Sequence, residues 1–295
     1  MHYIPCNVFS DVFSALQTYF TDLGKTKKLG SKKDPIRIHI ANILQACSFA
    51  LIGSTFDSKY DSLQPFVTFL QDSYNFLVLH ADSPSNSVNW TVLSLKYNLF
   101  STIPNISKRS FQSNAKRHEV LFRLELRKDM FLFISKFVGV GGQSRSQKQS
   151  EQKATEECCS KMKTNEERNT FKAKTSDAIQ LVERVAAEAM QSLLLGKAFD
   201  PNIFDAYGPI FDWITSLYHG QDTHLHDVGR MSIRHLAESN PRSAQLVPLL
   251  IEKSYLSDRS VSHNFFVSMV DVVVSFDVEY AVHSALLLIL YKIGE

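Results

Sequence analysis

The chain has 295 residues, of which 44% are hydrophobic, and it holds 21 phenylalanines against only 11 glycines and 9 prolines. Few chain-breaking residues and many large apolar ones favour long helices over short strands. The net charge of +2 does not predict a nucleic-acid surface, because such a surface needs basic residues gathered on one face. The sequence also contains no apolar run long enough to predict a membrane span, and its four cysteines predict reduced thiols.

The first hundred residues predict several amphipathic helices. The basic run that begins at Lys25 is interpreted as a solvated connector. Asp34-Pro35 then opens a helix, because the aspartate caps free N–H groups and the proline stands where no N–H partner is needed. The residues from Ser101 to Pro104 predict a helix break. The other predicted helices span 4–23, 61–80 and 87–100.

A further apolar segment runs from Ala115 to Val138. Leu126, Met130 and Phe133 share a helix face, which predicts one helix, although Phe122 and Leu124 also alternate in the manner of a strand. Both interpretations place the aromatic side chains of this segment in the core.

The composition changes sharply over residues 139–174, where glutamine, serine, lysine and glutamate replace apolar periodicity. Such a segment buries little surface to offset its ordering entropy, so we expect a flexible loop or a frayed polar helix. The sequence therefore predicts a helical-repeat segment over 1–138, a polar flexible insert over 139–174 and a second helical-repeat segment over 175–295.

The most strongly patterned stretch, Asp177 to Tyr218, predicts a helical hairpin. Its first helix is stopped by Gly196, since glycine alone enters the left-handed conformation without steric cost. Asp200-Pro201 starts its second helix. Four further helices are predicted to follow, ending with one from Asp277 to Ile293 that is apolar nearly all round. Successive helices with short connections predict an all-α fold, an irregular HEAT- or armadillo-like α-solenoid of antiparallel helix pairs.

The best candidate for metal chemistry is the group of His219, His224, His226 and Asp227. His224 and His226 lie two positions apart, which directs them away from each other on a helix, whereas zinc-binding helices use steps of three or four. We therefore interpret these histidines as solvated residues between helices. Trp213 could stack on a ligand, but its apolar neighbours favour a place in the core or at a repeat interface. We predict no catalytic, cofactor-binding or metal-ligating residue.

Two ordered sets of residues in the second half resemble the N-terminal region of the Furry family of cell-morphogenesis scaffold proteins. The first hairpin carries Ala189, Met190, Leu193, Leu194, Gly196, Phe199 and Asp200, followed by Gly208, Ile210, Trp213, Ile214, Ser216 and Leu217. Tyr255, Ser257, Asp258 and Phe266, and then the segment Leu288 to Lys292, are similar to later parts of that region. Because members of this family are very long, we expect this chain to be an excerpt or a truncated gene model.

The resemblance implies a non-enzymatic helical-repeat scaffold in cell morphogenesis and polarised growth. It also implies NDR-family kinases and Mob-type coactivators as protein partners, a link to cytoskeleton organisation, and a cytoplasmic location at the cell cortex or at sites of polarised growth. It implies no cofactor, no nucleic acid and no integral membrane segment. The alternative is an unrelated HEAT-like adaptor in transport or nuclear import. An enzyme, as a third class, would need a pocket lined by perturbed ionisable groups.

Overall fold

In the described part of the chain, all regular secondary structure is α-helical. The computed structural model describes residues 11, 14–16, 18–19, 34–50, 64–81, 88–113, 115–138, 142–197, 208–240, 246–256 and 258–275. Within these ranges the helices from residue 34 onward are α1 (Asp34–Ala50), α2 (Gln64–Ala81), α3 (Trp90–Ser113), α4 (Ala115–Leu121), α5 (Leu124–Ser135), α6 (Gly142–Ser160), α7 (Asn165–Leu193), α8 (Pro209–His219), α9 (Thr223–Ser239), α10 (Leu246–Lys253) and α11 (Arg259–Ser275).

Aspartates open several of these helices, as the sequence predicts. Asp34 is the first residue of α1, where its carboxylate accepts a hydrogen bond from Arg37 at 3.1 Å. The Asp222 carboxylate accepts from the backbone N–H of His224 at 3.0 Å at the start of α9. The Asp258 carboxylate caps α11 in the same way, and the backbone amide of Val261 is the main cause of its lowered pKa. Capping of backbone N–H groups by Asp222 and Asp258 therefore sets the starts of α9 and α11, whereas Asp34 pairs with the Arg37 side chain at the start of α1.

The predicted break from Ser101 to Pro104 is wrong, because α3 continues through Pro104. The missing proline N–H leaves one helical carbonyl without its usual partner. A proline inside a helix costs about 3 kcal/mol, but Pro104 is buried and α3 packs against α1, α2 and α7. Tertiary burial outweighs the local preference here.

The predicted single helix over 115–138 is also wrong, because the chain divides it into α4 and α5. Arg123 has an extended backbone, with φ −53° and ψ 145°, and α5 begins at the following residue. The break turns the Phe122 carbonyl out of the helix, and this oxygen accepts a hydrogen bond from Arg127 Nε at 3.1 Å. At this break, the hydrogen bond from the buried Arg127 side chain to the Phe122 carbonyl thus takes the place of continuous helix.

The polar segment over 139–174 is helical through most of its length. It forms α6 and the first third of α7, so Cys158 and Cys159 lie in a helix. Helix α7 begins at Asn165, twelve residues before the predicted start at Asp177, because Thr164 and Glu167 form a reciprocal capping box. The flexibility of this segment and the division of the chain at 138 and 175 remain predictions.

Helices α3 and α7 form the centre of the packing. Helix α3 packs on α1, α2, α4 and α7, while α7 packs on α3, α5, α6 and α9. Short connections join α6 to α7, α8 to α9 and α10 to α11, and the two helices of each pair pack on each other. One hydrophobic core extends from Ile40 to Val272. The fold is an all-α helical-repeat solenoid, which confirms the predicted fold class.

Several predicted features fall outside the described residues. They are the Asp200-Pro201 helix start, the segment 277–293 and the Leu288–Lys292 motif. In the described part, no helix combines the length and the hydrophobicity that crossing a membrane requires.

Candidate interaction site

The histidines of the sequence-predicted metal candidate have separate partners. His219 Nδ1 lies 3.1 Å from the Asp258 carboxylate, and His224 Nε2 lies 2.9 Å from Glu188. His226 Nε2 donates to the Gly220 carbonyl at 2.7 Å, while Asp227 pairs with Arg230. No group of three or more histidine, cysteine, aspartate or glutamate residues in the described ranges is arranged to hold a metal ion. The structure therefore does not bring this group together.

Two other histidines are buried and neutral. Burial lowers the pKa of both His118 and His235 to about 4. Neutral His118 donates from Nε2 to the Leu195 carbonyl at 3.1 Å and faces the Ser110 hydroxyl with Nδ1. His235 donates from Nδ1 to the Gln191 carbonyl at 3.1 Å. Each ring caps a carbonyl near the end of α7. His235 is packed in the interior, with 5% of its surface exposed.

The end of α7 is held by one fully buried arginine, Arg127. Its side chain is 0% exposed. Burial lowers the pKa of this guanidinium, and the neighbouring Glu119 carboxylate opposes that effect. The guanidinium donates to the Glu119 carboxylate and to the carbonyl oxygens of Phe122 (3.1 Å), Leu193 (3.2 Å), Leu195 (2.7 Å) and Lys197 (3.0 Å). These carbonyls have no helical donor at a helix C-terminus, so Arg127 supplies the missing hydrogen bonds.

Gly196 completes this arrangement. Its φ is +102°, in the left-handed region, and a Cβ at this position would overlap the Glu119 carboxylate. Its backbone N–H donates to the Ser239 hydroxyl at 2.8 Å. The predicted left-handed conformation of Gly196 is observed, three residues after α7 ends at Leu193. The absence of a side chain at Gly196 also leaves room for the Glu119–Arg127 ion pair.

Trp213 is a core residue. Its side chain is 0% exposed and its ring meets Phe131 edge to face, with centroids 5.5 Å apart. The contact joins α8 to α5, and so joins the two halves of the chain, in agreement with the place in the core or at a repeat interface that its apolar neighbours predict.

Within the described residues, a candidate binding surface is an open cleft between α6 and α7, with a volume of about 530 Å³. We call it the α6–α7 cleft. Side chains one helical turn apart form its two walls. The residues that define its chemistry are Glu151, Glu156, Lys172, Thr175, Ile179 and Glu183. A volume in this range is typical of ligand-binding clefts, roughly 300–1,000 Å³.

The sequence pattern did not single out Arg127, which holds the end of α7, or Thr175, which lines the α6–α7 cleft. Arg127 and the exposed Arg123 would share one face of a continuous helix, so nothing in the pattern distinguishes them. Thr175 directly follows the segment interpreted as a polar insert, where no apolar pattern marks a buried face. The capping box at Thr164 and Glu167 is the one local signal that could have placed α6 and α7 as a hairpin.

Antiparallel helical hairpins that stack along one continuous core define this molecule as a helical-repeat protein. Residues 6–242 match a protein-family model described as the cell morphogenesis central region. Because the match covers most of the chain, the protein belongs to this family of cell-morphogenesis proteins, and the family-level resemblance to Furry scaffold proteins is confirmed. The matched region carries the description "central", whereas the motifs had pointed to the N-terminal region. No curated protein and no solved structure gave a match.

Proposed function

We propose that this protein is a non-enzymatic helical-repeat scaffold in cell morphogenesis and polarised growth that supports NDR-family kinase signalling. The observation that carries the proposal is the family match over residues 6–242. The fold is compatible with it, because a solenoid uses its apolar residues for stacking and offers an extended surface to partners.

The polar interior supports a structural role. A catalytic site gathers ionisable groups with shifted pKa values around a pocket. Two buried groups with strongly shifted pKa values, His118 and His235, bind backbone carbonyls near the end of α7. A third, Tyr218, has its pKa raised by burial, and its hydroxyl lies 3.1 Å from the Ser268 hydroxyl. Arg127 binds carbonyls near the end of α7. The perturbed pKa values of His118, His235 and Arg127 therefore belong to side chains that hold a helix end and do not indicate a catalytic pocket.

The proposed partners are an NDR-family kinase and a Mob-type coactivator, and the proposed location is the cytoplasm, at the cell cortex or at sites of polarised growth. Cytoskeleton organisation is the proposed outcome of the assembly. These proposals derive from the family resemblance.

The test is affinity capture of the full-length product from cells, followed by identification and quantification of bound kinases. Arg127→Ala serves as a variant with a disrupted fold, and Arg123→Ala serves as its matched control because Arg123 is exposed. We expect an NDR-family kinase and a Mob-type coactivator to be enriched with the wild type and with Arg123→Ala, and to be lost with Arg127→Ala. Recovery of coat or importin components without the kinase would contradict the proposal and support a HEAT-like adaptor.

A further inference from the structure

We propose that α6 undocks from α7 while the rest of the fold stays closed, so that the first third of α7 alternates between a covered and an uncovered state. This inference concerns a conformational change in the α6–α7 hairpin and does not rest on the proposed scaffold function. Three features carry it: the small side chains that α6 buries, the open cleft between the two helices, and one buried hydroxyl on α7.

Helix α6 buries only small apolar side chains. Over residues 151–160, the buried side chains are Ala154 and Cys159, with 8% and 5% of their surfaces exposed. Docking of this stretch therefore removes little apolar surface from water. The far part of α7 differs, because Met190 and Leu193 are large and 0% exposed. Local opening requires the least free energy where buried apolar contacts are fewest, which singles out α6.

The packing of the hairpin allows α6 to leave without unfolding its neighbours. In the described part of the chain, α6 packs chiefly on α7. Helix α7 packs in addition on α3, α5 and α9. Release of α6 therefore leaves the contacts of α7 with the other three helices intact.

The α6–α7 cleft separates the two helices along part of their length. It lies between Glu151 and Thr155 on α6 and Thr175 and Ile179 on α7. Side chains that face each other across a cleft forgo dispersion contacts, so this stretch contributes little to docking. Glu151 and Glu183 at the cleft also have partners, but interactions between charges near the surface stabilise a fold only weakly.

A buried hydroxyl on α7 favours the undocked state. Thr175 lines the cleft with only 1% of its surface exposed. Its Oγ1 has no hydrogen-bond partner within the described residues. A buried polar group without a partner is destabilising, because it has given up its hydrogen bonds to water. Undocking of α6 returns this hydroxyl to water and removes that penalty.

The first test is hydrogen exchange of the full-length chain, measured by mass spectrometry at neutral pH. After correction for intrinsic rates, we expect the amides of α6 to exchange at least about a hundredfold faster than those of residues 186–193 in α7. Low concentrations of urea should hardly change the α6 rate, since a local opening exposes little surface. Equal protection of both segments, with the urea dependence of global unfolding, would overturn the proposal.

The second test distinguishes undocking from fraying of α6 on its own. In a chain with Cys6, Cys47 and Cys158 replaced by alanine, the buried Cys159 thiol is the only cysteine left to react with a thiol reagent. Its labelling rate under native conditions reports how often α6 opens. We expect Thr175→Val to slow this labelling about tenfold, because valine keeps the shape of threonine and removes the unpaired hydroxyl from the docked state.

The matched control is Thr102→Val on α3. Thr102 is as fully buried as Thr175, but its hydroxyl donates to the Asn98 carbonyl at 2.6 Å. Thr102→Val should leave the labelling rate of Cys159 unchanged. An unchanged rate in Thr175→Val would show that α6 opens independently of α7, and slowing by both variants would show a global effect. Either result would overturn the proposal, and neither depends on whether a kinase is captured from cells.

Discussion

Arg127 donates to the Glu119 carboxylate at 3.1 Å across the break that separates α4 from α5. The same guanidinium holds the last carbonyls of α7, so one side chain joins three helices. A charge that is removed from water in this way is stable only while all its acceptors stay in place. Four predictions test these contacts of Arg127 and the packing around them.

Removing Arg127 should destabilise the fold strongly. Arg127→Ala leaves Glu119 and several buried carbonyls without their donor, and we expect a loss of about 3–5 kcal/mol in the free energy of unfolding. Arg123→Ala, an exposed arginine four residues earlier, should change it by no more than about 0.5 kcal/mol. Urea denaturation followed by circular dichroism measures both. Similar losses in the two variants would contradict the assigned role.

Gly196 should not tolerate alanine. Gly196→Ala imposes a left-handed φ on a residue with a Cβ and forces that Cβ into the Glu119 carboxylate, so we expect a loss of about 2 kcal/mol or more. Gly220→Ala is the matched control, because Gly220 has φ −72° and a Cβ added there would lie no closer than 3.4 Å to its nearest neighbour, the Leu217 carbonyl oxygen. Thermal melting distinguishes them, and a Gly196→Ala protein as stable as Gly220→Ala would refute the close approach.

Stability should fall as the pH is lowered from about 6.5 to 4. His118 and His235 have pKa values of about 4 in the folded chain, against about 6.5 when unfolded. The unfolded state therefore binds protons first, and the stability contributed by each neutral ring is present above pH 6.5 and lost on acidification. At the low-pH end of this range, each ring has lost roughly 3 kcal/mol of its contribution to the free energy of unfolding. Urea midpoints measured across this range check the prediction.

The control for this pH dependence is a histidine variant that keeps the hydrogen-bond donor. His235→Asn places an amide N–H near the Gln191 carbonyl and should flatten the decline between pH 6.5 and 4. His263→Asn, which alters an exposed ring on α11, should preserve the wild-type profile. An unchanged slope in His235→Asn would show that this ring does not contribute.

The contact between Phe131 and Trp213 should be energetically coupled. Replacing both with leucine, singly and together, defines a double-mutant cycle, and we expect a coupling of about 0.5–1.5 kcal/mol from the edge-to-face pair. Trp213→Leu combined with Leu44→Ala on α1, which packs on α3, should be additive. Absence of coupling in the first cycle would contradict the edge-to-face contact between these two rings.

Local chemistry made much of the helix pattern predictable from the sequence. Asp222 and Asp258 cap helices where their positions indicate, Asp34 is the first residue of α1, and Gly196 takes the left-handed conformation just after the end of α7. Apolar periodicity predicted which faces are buried, including that of Trp213. These features depend on residues within one or two helical turns, and such signals are readable in a single sequence.

The errors arise where distant residues override local preference. Pro104 is buried inside α3, which packs against several other helices. The break at Arg123 places Arg127 within hydrogen-bond distance of carbonyls near residue 195. The α6–α7 cleft was missed for a related reason. A polar sequence without apolar periodicity resembles a loop until its capping box and its partner helix are known.

The length of α7 has a mechanical consequence. Its 29 residues span about 43 Å at 1.5 Å per residue, and its first third is accompanied chiefly by α6 while its far end is clamped by Arg127. A pull along the axis at the α6 end would be transmitted as tension through the continuous helix to the end that Arg127 holds. A force applied to the surface that α6 and the start of α7 form would therefore reach the protein core through α7.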